Sequence, residues 1–368
     1  MVERALNEFK IIKMQKILVI QQKMIGDVLV STILCENLAL KFPDAQIDYL
    51  VYDTTLPVLE HHNSNFRIIP YTKEHRASKQ KMFHLAQQIR KEKYDVVIDS
   101  YSKLESWLFV ALSGAKQKIS FDKGYINFLY TDVIKRHDKA TSNLGLIIEH
   151  RLNLLKPLGI LAPAVTKPKL HISAKEIQDT QLFLKNHKVD TNRPLVMVSV
   201  LGSSDAKTYP LSYMAKVLDD MIAYQPMSLL FNYIPSQRNQ ALELYSLCSE
   251  STKQYIYIEA IGKSLRDFIS LMNACDFIVG NDGGAINMAK ALNKPAFTIF
   301  SPMIDKEGWN SFEDGKHNIS VHLNDYKPEL FKNLSPKEVK IKNELLYLKF
   351  HPELFQKQFA HFLSENVK

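Results

Sequence analysis

The segment 276–302 limits the possible folds of this chain more than any other. It reads DFIVGNDGGAINMAKALNKPAFTIFSP. Phe277-Ile278-Val279 is a short apolar run, the pattern of a strand covered on both faces in a parallel sheet. Asn281-Asp282-Gly283-Gly284 follows as a tight turn, in which two glycines let the backbone come close to a ligand. Residues 285–292 are good helix formers, and Asn293 and Pro295 stop them. Residues 296–300 read as the next strand. A helix that opens on a glycine turn presents free N–H groups and a positive dipole end, which suits an anion. An ordinary strand-to-helix turn needs glycine for geometry alone, so the motif by itself leaves both readings open.

The segment 16–36, KILVIQQKMIGDVLVSTILCE, repeats the theme near the other end. Residues 17–20 are a buried-strand run and 21–25 a loop. Gly26-Asp27 opens a helix whose apolar stripe is Val28, Leu29, Ile33 and Leu34. A carboxylate is thereby set at a helix start, at the strand edge where α/β sheets bind ligands. The same carboxylate could simply serve as a first-turn acid that satisfies the helix dipole.

Between these segments apolar runs alternate with helical periods. Strands are expected near 16–20, 47–51, 67–70, 95–99 and 117–120, with helices near 27–41, 54–61, 78–92, 103–112 and 142–156. Residues 161–169 read as a connector, followed by a strand stub and a helix over 171–186. The second half brings a strand from 195, helix 211–224, strand 227–232, helix 236–249, strand 254–258 and helix 264–274. Short strand-like pieces and a last helix near 352–365 follow the segment 276–302. This alternation implies parallel sheets with right-handed crossovers, and 368 residues suit two domains.

Cys35, Cys248 and Cys275 are odd in number and far apart. They read as buried thiols of a reducing compartment, not a disulfide frame or a zinc site. No run approaches the ~20 apolar residues of a membrane span, and the N-terminus lacks a secretory pattern. The formal net charge of +8 gathers partly in 73–93 and 135–139. Such runs are usually solvated faces. No recognition-helix, RNP or KH signature accompanies them, so nucleic acid is not expected as a partner. The first turn, Q-Q-K-M-I-G, lacks the dinucleotide fingerprint G-x-G-x-x-G.

Taken together, the opening strand–loop–GDVL–helix and the late Asp-x-Gly turn–helix–Lys-Pro–strand resemble glycosyltransferase family 9. Three more segments fit in the same order: YDVVIDSYSKLES (94–106), VSVLGSSDAKTYP (198–210) and SLRDFISLMNACD (264–276). The resemblance spans roughly 14–302. It implies an α/β protein of GT-B architecture, two Rossmann-like doubly wound domains facing a central cleft. The expected divisions are an extension at 1–13, an acceptor domain at 14–170, a hinge region at 171–193, a nucleotide-sugar domain at 194–345, and 346–368 as a helix packing back on the first domain.

The resemblance further implies an inverting, metal-independent transfer of a heptose or similar sugar from an ADP-activated donor to a lipopolysaccharide or lipooligosaccharide core. Asp27 is then the base that takes the acceptor proton. Lys207, Ser203, Ser204, Gln237, Asp282, Gly283, Gly284, Ala285 and Asn287 would hold the donor. Lys23, Asp99, Tyr101 and Lys103 would meet the acceptor. No cofactor beyond the ADP-sugar co-substrate is implied, and no D-x-D pair suggests a metal. The implied partners are the donor, an anionic glycolipid and the cytoplasmic face of the inner membrane, with cytoplasmic, peripheral residence. The chain departs from the family pattern at Gly283, where Ser or Thr is usual, and at Asn287, where His is usual. It departs again in the loops at 21–24 and 101–103. Another nucleotide-sugar or acceptor, and a non-catalytic binding relative, therefore remain alternative readings.

Overall fold

The computed structural model describes residues 15–62 and 66–367, so the extension expected at 1–13 lies outside the described residues. Runs of three to seven residues become parallel strands, most of them apolar because the flanking helices bury both sheet faces. In the first sheet these are β1 (Lys16–Ile20), β2 (Gln46–Tyr52), β3 (Phe66–Tyr71), β4 (Val96–Asp99), β5 (Gln117–Phe121) and β6 (Asp132–Ile134). Their order is β3-β2-β1-β4-β5-β6. Ile17 pairs with both Ile47 and Val96, so the winding reverses between β1 and β4. The basic run 73–93 folds as two helices, Lys73–Ala77 and Lys79–Glu92; the second turns Leu85, Ala86 and Ile89 inward and its charges outward.

The second sheet holds β7 (Leu195–Ser199), β8 (Ser228–Phe231), β9 (Phe277–Asn281), β10 (Ala296–Ile299) and β11 (Asn318–Val321), in the order β11-β10-β9-β7-β8. Here the reversal falls between β7 and β9. The two strands approach closely at Gly280, whose φ is +132°; a Cβ there would lie 2.4 Å from the Ser199 carbonyl oxygen. Glycine is required at this position on both counts.

The chain divides into two compact units. One comprises Met1–Leu56, Asn63–Arg136 and His150–Thr166, and the other Pro57–His62, His137–Glu149 and Lys167–Lys368. Two short excursions, before 63 and before 150, therefore belong to the second unit, as does the expected hinge with its helix Ala174–Asn186.

Two expectations are corrected. The strand expected at 254–258 is a single bridge between Leu229 and Ile256, since turns closing on Thr252 and Tyr257 leave room for no more. The helix expected at 54–61 is the 3-10 segment Asp53–Leu59, with Pro57 inside it. The final helix, expected to pack back on the first domain, is Gln356–Asn366. Its face of Phe359, Phe362 and Leu363 is part of the second unit's core. Phe362 meets Phe277 at 5.5 Å between ring centroids, and Phe359 meets Phe297 at 4.8 Å. Aromatic rings on β9 and β10 offer that face more apolar contact than exposure to water would.

The candidate active site

In the second unit the site grows from one buried asparagine at the end of β9. Asn281 Nδ2 donates to the Ser199 carbonyl at 2.9 Å, and its Oδ1 accepts from the Tyr209 N–H at 2.7 Å. The Ser199 hydroxyl donates back to the Asn281 carbonyl at 3.0 Å. These bonds pin both ends of the loop 200–208 to the glycine turn. Asn343 braces the same loop by donating to the Ala206 carbonyl at 2.7 Å. Lys207 is thereby held half-buried, close enough to act electrostatically on Asp282. Ser203 and Ser204 are exposed beside it. Gln237 donates to the Gly202 carbonyl and accepts from the Ile234 N–H, so it props the loop.

Past Asn281 the turn opens helix Gly284–Ala291. A Cβ on Gly283 or Gly284 would meet nothing within 4 Å, so open space lies before the turn. Asn287 is half-buried one turn in, and Ala285 is buried. The first N–H groups of the helix have no partner within it, which suits an oxyanion. Burial pushes the Asp282 carboxyl up to about 6, against the pull of Lys290 and Lys207. A separate groove of about 530 Å³, between helices Ala174–Asn186 and Leu265–Ala274, includes Phe183, His187 and Ile261 in its walls and shares no residue with this set.

In the first unit Asp27 sits in the opening turn of helix Ile25–Lys41. One carboxylate oxygen accepts from the Met24 N–H at 3.3 Å; the other accepts from Arg151 Nη2 at 2.6 Å. Arg151 Nε also donates to the Ser31 hydroxyl at 2.8 Å, which fixes the guanidinium. Asp27 is thus both a cap and a partly accessible, oriented carboxylate. Arg136, stacked 4.0 Å over Phe121, acts through space on Asp27 and Arg151; the exposed ammoniums of Lys23 and Lys103 lie 5.5 Å from the ring of Tyr52 and 5.9 Å from that of Tyr101. Tyr101 is half-buried.

Asp99, expected to meet an acceptor, is instead buried and fully engaged. It accepts from the N–H groups of Tyr101 and Ser102, from the Ser106 hydroxyl and from the Tyr130 hydroxyl. Burial raises its carboxyl above the usual range. A short polar loop after a strand left that internal use invisible. Sequence reasoning also missed Arg151, Asn281, Asn343 and Lys290. Only Asn281 had a local signal, its place one residue before the aspartate of the glycine turn. Gln22, fully buried with neither amide atom bonded among the described residues, was read only as a loop residue.

Two doubly wound parallel sheets, the second bearing a pinned loop and a glycine turn at its reversal point, are the architecture of the GT-B class. The sequence model of glycosyltransferase family 9 (heptosyltransferase) matches residues 82–336. The chain belongs to that family and is a glycosyltransferase. Lipopolysaccharide heptosyltransferase 2 of Escherichia coli K12 is 23% identical over 300 residues, 78% of this chain and 83% of that protein. Lipopolysaccharide heptosyltransferase 3 of Escherichia coli is 30% identical over 138 residues, 37% of this chain and 40% of that protein. A family 9 glycosyltransferase from Veillonella parvula shares the fold at a TM-score of 0.72, with 19% identity, over 91% of this chain and 98% of its own. Among the described residues no helix is long and apolar enough to cross a membrane.

Proposed function

We propose that this chain transfers a heptose, or a similar sugar, from an ADP-activated donor to a lipopolysaccharide or lipooligosaccharide core, with inversion and without a metal ion. The observation that carries the reading is the Asn281 clamp, which brings Lys207 and the Asp282–Gly284 turn to one edge of the second sheet. Lys207 and the helix N-terminus would neutralise the departing diphosphate. In the first unit the acceptor hydroxyl gives its proton to the Asp27 carboxylate as its oxygen attacks the anomeric carbon. The bond from that carbon to the diphosphate oxygen breaks, and ADP leaves. One displacement inverts the centre.

The surroundings of Asp27 suit an anionic acceptor: Arg151 bonds it, Arg136 acts on it through space, and Lys103 lies by Tyr101, which senses the charge of Asp27, while Asp99 is internal. Leu104, Tyr125 and Phe128 are exposed large apolar side chains of the same unit. With Lys103 they suit contact with an anionic lipid surface. The names of the family relatives support the heptose and the lipopolysaccharide core.

The test is calorimetric titration of ADP, UDP, GDP and ADP-heptose in EDTA, on the wild type and on Lys207→Ala. The expected result is selective ADP binding that Lys207→Ala weakens by about tenfold or more, roughly the 1.5–3 kcal/mol of a charge-assisted bond. Transfer to a core acceptor should then be lost in Asp27→Asn by about 10²–10⁴-fold. Binding only in the presence of a divalent ion would remove the metal-independent part. ADP binding without transfer to any acceptor would favour a binding relative, which Gly283 and Asn287 already suggest.

A further inference from the structure

From Gly283 to Ala289 every side chain of the glycine turn and its helix is neutral. The next residue is not. Lys290 is buried, with 4% of its surface exposed. Its Nζ donates to the Ser311 carbonyl at 2.6 Å and to Asn310 Oδ1 at 3.2 Å, both neutral acceptors. Asn310 in turn donates to Glu313 at 2.6 Å, so that carboxylate is one residue removed. Glu313, Asp282 and Asp314 act on the ammonium through space, opposed by Lys167, and none of them makes an ion-pair contact with it among the described residues. A neutral amide could tie the helix to two carbonyl oxygens. A lysine adds a charge that is costly to bury without a touching anion. Burial pushes this ammonium down to about 8, and the neighbouring Asp282 up to about 6. The two groups sense each other without touching, and Lys207 is the other charge that acts on Asp282.

We propose that Lys290 is a positioning residue of the diphosphate site: its buried ammonium lends the Asp282–Gly284 turn the positive charge that the turn's own side chains lack, and the bound diphosphate completes the balance. This rests on the donor reading above. Lys290 touches no substrate. It acts through the helix and through Asp282, keeping that carboxylate from repelling the incoming phosphates unscreened.

The experiment titrates ADP and adenosine into the wild type, Lys290→Met, Lys290→Arg and the double variant Lys290→Met/Asn287→His. A charge role predicts that Lys290→Met loses about tenfold in ADP affinity and nothing for adenosine, and that Lys290→Arg keeps most of the ADP affinity. It also predicts that, as pH falls below about 6.5, the double variant regains more ADP affinity than Lys290→Met alone, since Asp282 gains a proton in both while only the double variant gains a charged histidine at 287. Equal losses for ADP and adenosine would mean a structural tie and overturn the proposal, as would unchanged ADP binding by Lys290→Met. If Lys290→Met does not fold, Lys290→Gln, which can still donate to Ser311, takes its place. Absence of ADP binding by the wild type would strike the donor reading itself, and this inference with it.

Discussion

Asp282 shows how a single residue ties the site to stability. Its carboxyl is raised to about 6 by burial, from about 3.9 in an unfolded chain. Below about pH 4 it is protonated in both states. Between about 4 and 6 the folded form holds more protons than the unfolded one, so stability falls as pH rises through that window. Asp282→Asn removes the titration. Its unfolding temperature should gain on the wild type from pH 4 to 6 and hold the gain above 6, as thermal scans across pH 4–8 would show. A gap that stays constant with pH would mean that Asp282 is ionised throughout. The sequence placed Asp282 at the turn but could not show this burial, because the covering groups come from distant segments. Arg151 was hidden from Asp27 for the same reason: the two lie 124 positions apart.

At the scale of elements, the loop 200–208 gets its shape from bonds made elsewhere. Asn281→Ala deletes a donor to Ser199 and the acceptor of the Tyr209 N–H, both buried. The expected cost is roughly 1–3 kcal/mol of stability, with a weaker ADP affinity as Lys207 loses its placement. Thermal unfolding and ADP titration together check this; a stability loss with unaltered ADP binding would show that the clamp does not position the loop. The elements themselves were largely legible. Helix Leu211–Tyr224 falls where its periodicity places it, since the apolar stripe and the flanking Pro210 are local signals. The strand expected at 254–258 failed because strand formation depends on a partner, and among the described residues it bridges to Leu229 alone. The internal bonds of Asp99 were illegible for a related reason. A strand-end carboxylate looks the same in sequence whether it faces a ligand or accepts bonds from the protein itself, one of them from Tyr130, 31 positions away.

For the whole molecule, β–α alternation made the doubly wound architecture legible, because each strand and crossover helix is written in a few adjacent residues. The division of the chain was less so: short excursions and the final helix join the second unit through contacts without local sequence signals. The final helix carries a direct test. Phe362 is fully buried against Phe277 and Phe297, so Phe362→Ala should cost about 3–5 kcal/mol. Chemical denaturation followed by a probe in the second unit would record it. A cost below 1 kcal/mol would mean that the helix contributes little to that core.

The middle of the second sheet has a consequence for how the protein is made. The Leu195 N–H at the start of β7 bonds to Asp276, which opens β9, across 81 positions of chain. During synthesis at about 5–20 residues per second, β9 emerges about 4–16 s after β7. Throughout that interval one edge of β7 has no strand beside it. A growing chain in that state offers an apolar, hydrogen-bonding edge to its neighbours, so a chaperone that holds nascent chains would find its best substrate in ribosomes paused between β8 and β9.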